Sequence, residues 1–197
     1  MKEIVTGIHH WTAFHEGIGM DVSSYYVEDA HALIDPMLPP DGVDSLLGKE
    51  PRVILLTNRH HYRKSDAIRE AFGCPVLCHE SGLHEFEGGP QVDAFSFGDE
   101  VARGIVALEL AAICPDDSVL RIDSGQGALA FADGLVHYGG RVGFVPDRFM
   151  DEPETVKRRT REAVERLLEE RFDALLFAHG DPIPTGGKVA LAELLAA

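Results

Sequence analysis

The chain has few cysteines, and this shortage excludes a disulfide scaffold. Its 197 residues include three cysteines, Cys74, Cys78 and Cys114, whose spacing is not that of a zinc ribbon. Residues Met1–Gly7 contain no apolar export segment. An odd number of thiols without an export signal indicates reduced, packed cysteines, and we therefore expect a cytoplasmic protein.

Basic residues are also scarce. Lysine and arginine total 18 against 33 aspartates and glutamates, so the formal net charge is −15. Such a field repels phosphate backbones and anionic lipid, and we expect no nucleic-acid partner and no membrane partner. Long apolar runs that would span a bilayer are missing too. The expected partner is a small-molecule substrate or ligand, and a homodimer is the default assembly for a small cytoplasmic protein.

The remaining composition is that of a globular core. Hydrophobic residues make up 45% of the chain, and the length fits one domain over residues 1–197. Helices are expected from Ser65 as N-cap to Phe72, from the Asp151/Glu154 capping-box pattern to about Glu170, and at the C-terminus. The strand-like runs are more numerous: 22–27, 32–34, 53–56, 75–78, 92–97, 105–110, 118–122, 128–131 and 174–177. Many strands with few helices predict an α/β (α+β) fold, two mixed β-sheets packed face to face with helices outside.

The stretch Thr57–Lys64, with the sequence TNRHHYRK, is the most informative in the chain. It follows the apolar run 53–56 and precedes a predicted helix, and such strand ends hold metals and substrates in α/β proteins. Extended backbone places alternate side chains on one side, so Asn58 and His60 are expected to face the same side. His61 is then expected to point away from the site.

Five motifs in chain order, this stretch among them, resemble the metallo-β-lactamase superfamily, an αββα sandwich of mostly metal-dependent hydrolases. The resemblance covers nearly the whole chain. Its first motif is an Asp closing an early strand, and its second is Thr-His-x-His-x-Asp-His. The third is a Pro-Gly-His turn, the fourth an Asp after an apolar strand, and the fifth a late His-Gly. The matching residues here are Asp35, Thr57–Arg63, Cys114–Asp117, Asp133 and His179-Gly180.

Departures from these motifs imply a depleted metal site. Asn58, Tyr62 and Arg63 stand where the family has His, Asp and His, and Asp117 stands where it has His. A guanidinium cannot ligate a cation. The resemblance therefore implies one divalent ion, zinc, manganese or iron, or none. Its candidate ligands are His60, Asp117, Asp133 and His179.

Three side chains are candidates for stabilising charge during catalysis: Tyr62, Arg63 and His179. Arg63 is also expected to occupy the position of a missing second metal and to pair with Asp133. The resulting hypothesis is a divergent hydrolase with at most one metal, acting on an ester, thioester, lactone or phosphoester. The alternative is a non-catalytic or metal-free protein that binds a small anionic ligand on the same fold. A metal-free enzyme with Asp133 or His179 as general base is a third possibility.

The N-terminal segment His9-His10-Trp11 is compatible with two roles. In the family's geometry an early hairpin lies near the pocket mouth, so these side chains would reach into the pocket. As aromatic residues on a hairpin, they would equally pack on the sheet edge.

Overall fold

Fourteen strands form three sheets in the computed structural model, which describes residues 1–197. The first sheet has seven strands, which lie side by side in chain order. Strands β1 to β4 pair antiparallel, and β4 to β7 pair parallel. These strands are β1 (Lys2–Val5), β2 (Ile8–His15), β3 (Met20–Val27), β4 (Ala32–Ile34), β5 (Val53–Leu55), β6 (Val76–His79) and β7 (Asp93–Phe95).

The second sheet has five strands in the order β14-β11-β10-β9-β8, and β12 and β13 form a separate hairpin. Only the β11–β14 pair in this sheet is parallel. The strands are β8 (Glu100–Ala102), β9 (Ile105–Glu109), β10 (Ser118–Ile122), β11 (Ala128–Phe131), β12 (Val136–Tyr138), β13 (Arg141–Gly143) and β14 (Ala174–Phe177). The helices are α1 (Ser65–Phe72), α2 (Pro153–Leu167) and α3 (Gly187–Ala196), with 3₁₀ turns at Val43–Lys49, Arg59–His61, Glu80–Phe86 and Asp147–Phe149. None of the helices is both long and apolar enough to cross a membrane.

Side-chain alternation along the strands divides the apolar residues into three layers. Tyr25 and Ile34 of the first sheet meet Leu120 and Leu176 of the second in the central layer. Outward-facing residues of the first sheet pack with Ile68 of α1. Those of the second sheet pack against α2 and α3, in a cluster that includes Leu129, Phe131, Phe177, Val164 and Leu191. The order of layers is helix, sheet, sheet, helix, which confirms the predicted αββα sandwich.

The expected helix caps are wrong in two places. Ser65 is the first residue of α1 rather than its cap, because its N–H already bonds to the Tyr62 carbonyl of the preceding turn. The Ser65 hydroxyl is buried without a partner. At α2, Glu152 occupies the cap position without a side-chain bond, so the capping box of Asp151 and Glu154 does not form. At the other end of α1, Gly73 adopts φ 68° as expected for a residue that terminates a helix.

Truncation of Leu176 tests the central layer. Leu176 is completely buried between the sheets, so Leu176→Ala loses apolar contacts and leaves a cavity. We expect the free energy of unfolding in urea to fall by about 2–5 kcal/mol. Val189→Ala on α3 is the control, because Val189 is 63% exposed, and it should change stability by less than about 0.5 kcal/mol. Equal effects of the two substitutions would contradict the assignment of the core.

Candidate metal centre

The candidate site lies where parallel strands of both sheets end. Strands β4 and β5 are parallel in the first sheet, and β11 and β14 are parallel in the second. Asp35 follows β4, and Asp133 and His179 follow β11 and β14 by two residues. Side chains from these ends contact one another, so the two sheets converge at one edge of the sandwich.

Two imidazoles and one carboxylate meet at this edge. Asp133 Oδ1 lies 3.2 Å from His61 Nε2 and 3.0 Å from His179 Nε2. The ligand atoms of the three residues all lie within 4.8 Å of one another. The second carboxylate oxygen, Oδ2, accepts a hydrogen bond of 2.7 Å from Asn58 Nδ2. Asn58 thus fixes the carboxylate so that Oδ1 faces both rings.

Asp35 binds the second nitrogen of the His61 ring. His61 Nδ1 lies 2.9 Å from Asp35 Oδ2, and both residues are buried. Asp35 also accepts hydrogen bonds from the Thr57 amide, at 2.8 Å, and from the Thr57 hydroxyl. A carboxylate bonded to one nitrogen of an imidazole sets the ring orientation and the tautomer. Asp35 therefore orients His61 so that Nε2 points to Asp133.

The inward histidine is His61, and the expectation that His60 would face the site with Asn58 is wrong. The extended backbone ends before this point, and Arg59–His61 form a 3₁₀ turn that begins after Asn58. The Asn58 side-chain oxygen accepts from the His60 amide at 3.0 Å and stabilises that turn. Residues three apart share a face of a 3₁₀ helix, so Asn58 and His61 point the same way and His60 is exposed. The sequence signal for this turn was Asn58, because asparagine is favoured at the N-cap position that begins a helical turn.

Asp117 lies beside the triad formed by His61, Asp133 and His179 but is not part of it. It is completely buried, and neither carboxylate oxygen has a hydrogen-bond partner. A Cβ added to Gly134 would lie 2.1 Å from Leu110 Cδ2 and 2.9 Å from Asp117 Oδ2, so the glycine makes room for both side chains. The preceding Asp116 accepts from the Arg59 backbone amide and pairs with its guanidinium. Of the two neighbouring aspartates, Asp117 is the one left without a partner.

Tyr62 and Arg63 contact other groups. The Tyr62 hydroxyl donates to Asp66, and its ring packs on Phe86. Arg63 Nη1 donates to the backbone carbonyls of Ser23, at 2.6 Å, and Asp35, at 2.7 Å.

The expected ion pair between Arg63 and Asp133 is therefore absent. Asn58, His61 and His179 already surround the Asp133 carboxylate. Arg63 Nη2 is buried without a partner.

Burial and neighbouring charges shift the pKa values of the site. Burial opposes protonation of His61, but Asp133 and Asp35 outweigh it and raise its pKa to about 9. Burial also opposes ionisation of Asp133, yet His61 and His179 hold its pKa well below the usual value. Burial and the charge of Asp133 raise the pKa of Asp117 well above the usual value. Without a cation, His61 is protonated at neutral pH and compensates part of the negative charge of Asp35 and Asp133.

The donor set fits one divalent ion. Zinc and iron sites use two imidazoles and one carboxylate. Ligand atoms at about 2.0–2.2 Å from a metal are about 3.0–3.5 Å apart, which agrees with the separations of Asp133 from the two rings. The buried oxygens of Asp117 have no hydrogen-bond partner, and a nearby cation would compensate the charge of the ionised carboxylate. The structure thus contains a possible metal-binding group, His61, Asp133 and His179, of which the sequence had indicated only the last two.

The side chains of the segment His9-His10-Trp11 contact other residues of the protein. Trp11 is buried, and its indole N–H donates to the Met37 carbonyl at 3.1 Å. His9 pairs with Glu28, and His10 contacts Ser23. Of the two roles open from the sequence, packing on the sheet is the one that the structure bears out.

Comparisons with known proteins place the fold. No protein-family model matches the chain, and no curated protein sequence matches it significantly. Among solved structures, the metallo-beta-lactamase family protein TTHA1429 from Thermus thermophilus superposes with a TM-score of 0.68 at 16% identity, covering 98% of this chain and 80% of that one. TTHA1623, solved in a di-iron-bound form, gives a TM-score of 0.68 at 23% identity, with 91% and 96% covered.

The chain has the metallo-β-lactamase fold. An archaeal metallo-β-lactamase superfamily protein from Sulfolobus tokodaii also matches, with a TM-score of 0.66 at 13% identity over 96% of this chain and 85% of that one. Identities this low establish the fold alone, because one fold hosts many functions. The triad must be interpreted from its own geometry. In this metallo-β-lactamase fold, His61 occupies a position between the motif residues of the resemblance, which is why motif matching missed it.

The pKa of His61 predicts how the stability of the chelator-treated protein depends on pH. The pKa of His61 in the folded protein, about 9, exceeds the ordinary value of 6.5. The stabilisation that protonated His61 contributes is therefore complete below pH 6.5 and is lost as the pH rises through 9. The raised pKa of Asp117 changes stability in the same direction, because a carboxyl that holds its proton more tightly in the folded protein also loses stability as the pH rises. We expect the unfolding free energy in urea to fall by about 3 kcal/mol between pH 6.5 and 9.5.

His61→Gln should remove most of this dependence, whereas His84→Gln, on an exposed residue, should keep it. A wild-type stability that is flat over this range would contradict the charged arrangement of His61 between Asp35 and Asp133.

Proposed function

We propose that the protein is a metal-dependent hydrolase that uses one divalent ion held by His61, Asp133 and His179. The observation that carries the proposal is the convergence of two imidazoles on one carboxylate oxygen at the joint edge of the sheets. The di-iron-bound form of TTHA1623 supports it, because that protein binds iron on the same fold. The substrate class is an ester, thioester, lactone or phosphoester.

Each neighbour of the triad has a definite part in this proposal. Asp35 accepts the Nδ1 proton of neutral His61, which leaves the Nε2 lone pair directed at the centre. Asn58 holds Asp133 Oδ2, so Oδ1 remains the binding atom. A divalent ion held there would supply a Lewis acid that polarises the carbonyl or phosphoryl oxygen of the substrate.

Arg63 contributes a fixed charge. Burial lowers the pKa of its guanidinium, while the nearby charges of Asp35 and Asp133 oppose that shift. An arginine remains protonated at neutral pH. With one divalent ion, neutral histidines and three ionised carboxylates, Asp35, Asp117 and Asp133, the site including Arg63 is electrically balanced. A second divalent ion would leave an excess of positive charge, which supports a centre with one metal.

Metal content tests the ligand set. After gentle purification and reconstitution with Zn²⁺, Mn²⁺ or Fe²⁺, elemental analysis should find about one ion per chain. His61→Ala or His179→Ala should reduce it to less than about 0.2. His60→Ala is the matched control, since His60 is adjacent but exposed, and it should bind as the wild type does. Loss of metal in His60→Ala with retention in His61→Ala would overturn the proposed ligands.

Hydrolysis is tested separately on the reconstituted protein with aryl esters, an acyl thioester, a lactone and an aryl phosphoester. We expect turnover of at least one class that disappears with chelator and in His61→Ala. Metal binding without turnover on any of these substrates would reject the hydrolase and leave the metal site standing.

Binding of a small anion is a second candidate function, favoured by Arg63. This arginine forms no ion pair, and its Nη2 is buried without an acceptor. A buried N–H without a partner is costly, and an anionic oxygen would satisfy it with a charge-assisted hydrogen bond. Under this alternative the ligand is a carboxylate or phosphate, and the fold serves recognition rather than turnover.

Fluorine NMR with 4-fluorobenzoate and 4-fluorobenzamide tests this alternative, because the two probes differ mainly in charge. The chelator-treated wild type should bind the anion at least about 10-fold more tightly than the amide. Arg63→Gln should lose that preference. Arg103→Gln, which removes the same charge from an exposed turn, should keep it. Equal binding of both probes by the wild type would reject the anion site.

A further inference from the structure

The loop that carries His179 is bound on both sides through its backbone. Four consecutive carbonyls, from Ala178 to Asp181, have hydrogen-bond partners. Ser23 donates to two of them, from its amide to Ala178 O at 3.0 Å and from its hydroxyl to Gly180 O at 3.0 Å. His137 serves the other two: its amide donates to His179 O at 3.2 Å, and its Nδ1 lies 2.7 Å from Asp181 O.

This loop also has a conformation that few residues tolerate. Gly180 has φ 100°, and a Cβ there would lie 2.0 Å from the His137 carbonyl oxygen. The close approach to β12 and the bonds to β3 therefore depend on glycine. The loop is held between β3 of the first sheet and β12 of the separate hairpin. The direction of the His179 side chain is therefore set by Ser23 on one side and His137 on the other.

Ser23 is itself held by His10. His10 Nε2 lies 3.0 Å from Ser23 Oγ. Because the Ser23 hydroxyl hydrogen goes to Gly180 O, His10 Nε2 must carry the hydrogen in this contact. Burial lowers the pKa of His10 to about 4, so the ring is neutral and can present one N–H.

The His10 ring also packs on a second residue that holds the same strand end. It stacks on Tyr25 with ring centroids 5.0 Å apart. The Tyr25 hydroxyl donates to Phe177 O at 2.8 Å and accepts from the Phe177 amide at 3.0 Å. One histidine on β2 thus contacts both side chains of β3 that bind residues 177–180, at the end of β14 and just after it.

We propose that His10 is a positioning residue for the metal centre, acting on His179 through Ser23 and Gly180. This inference rests on the proposed function, because it assigns His10 to the support of a ligand in that centre. It explains why a half-buried histidine of β2 contacts a serine of the neighbouring strand β3. Its neighbour His9 points to the opposite face and pairs with Glu28 at 2.7 Å.

Co²⁺ binding to four proteins tests the proposal: the wild type, His10→Ala, His10→Gln and His9→Ala. Affinity is measured by competition with a chromophoric chelator, and geometry by the visible absorption spectrum of bound Co²⁺. His10→Ala should weaken Co²⁺ binding about 10-fold or more and alter the spectrum, because substitutions of residues that orient metal ligands reduce metal affinity to this extent. His10→Gln should restore much of both, because its amide supplies an N–H. His9→Ala should match the wild type.

Wild-type affinity and spectrum in a folded His10→Ala protein would overturn the proposal. A second measurement covers the case in which the wild type binds no metal, which would reject the proposed function itself. Hydrogen exchange of residues 177–181 in the chelator-treated proteins should be faster in His10→Ala than in His9→Ala. Equal exchange in the two variants would show that His10 does not hold this loop.

Discussion

The carboxylate of Asp133 is the contact on which the candidate site depends. It follows β11 of the second sheet and joins His61, from the 3₁₀ turn after β5 of the first sheet, to His179 after β14. The same group accepts a hydrogen bond from Asn58. A carboxylate in this partly buried place needs either protonated imidazoles or a cation around it. The chemistry of the site follows from which of the two compensates its charge.

The support around this carboxylate comes mainly from the first sheet. Asp35 and Thr57 orient His61, while Ser23 and Tyr25 on β3 bind the backbone that precedes and follows His179. Residues of the first sheet therefore orient both imidazoles, although His61 follows a strand of the first sheet and His179 a strand of the second. Such preorganisation is what a metal centre requires, because ligands that are already oriented lose little freedom on binding.

Much of the fold was predictable from the sequence, because alternating apolar and polar residues and short apolar runs indicate strands whose faces are buried in a sandwich. The runs at β10 and β11 match the observed strands, and the early Asp35 and late His179-Gly180 lie at the expected strand ends. The site was predictable only in part. Asp133 and His179 were found because each follows an apolar strand, but His61 was assigned to the wrong side.

That error has a physical cause. Strand periodicity does not continue beyond Asn58, because its side-chain oxygen accepts a hydrogen bond from the His60 amide and begins a 3₁₀ turn. The period of the side chains thereby changes from two to three. The position of Arg63 was equally hidden, because its bonds to the Ser23 and Asp35 carbonyls depend on strands that meet only in the folded chain. Local patterns specify elements well, but they do not specify which polar side chains meet between two sheets.

The most direct test of the account is anomalous diffraction from crystals of the metal-reconstituted protein, recorded on both sides of the absorption edge of the metal. A single metal held by this triad predicts one anomalous peak per chain, in contact with His61, Asp133 and His179. A peak bound by His60, two peaks in one site, or a fully reconstituted crystal without a peak at the triad would contradict it.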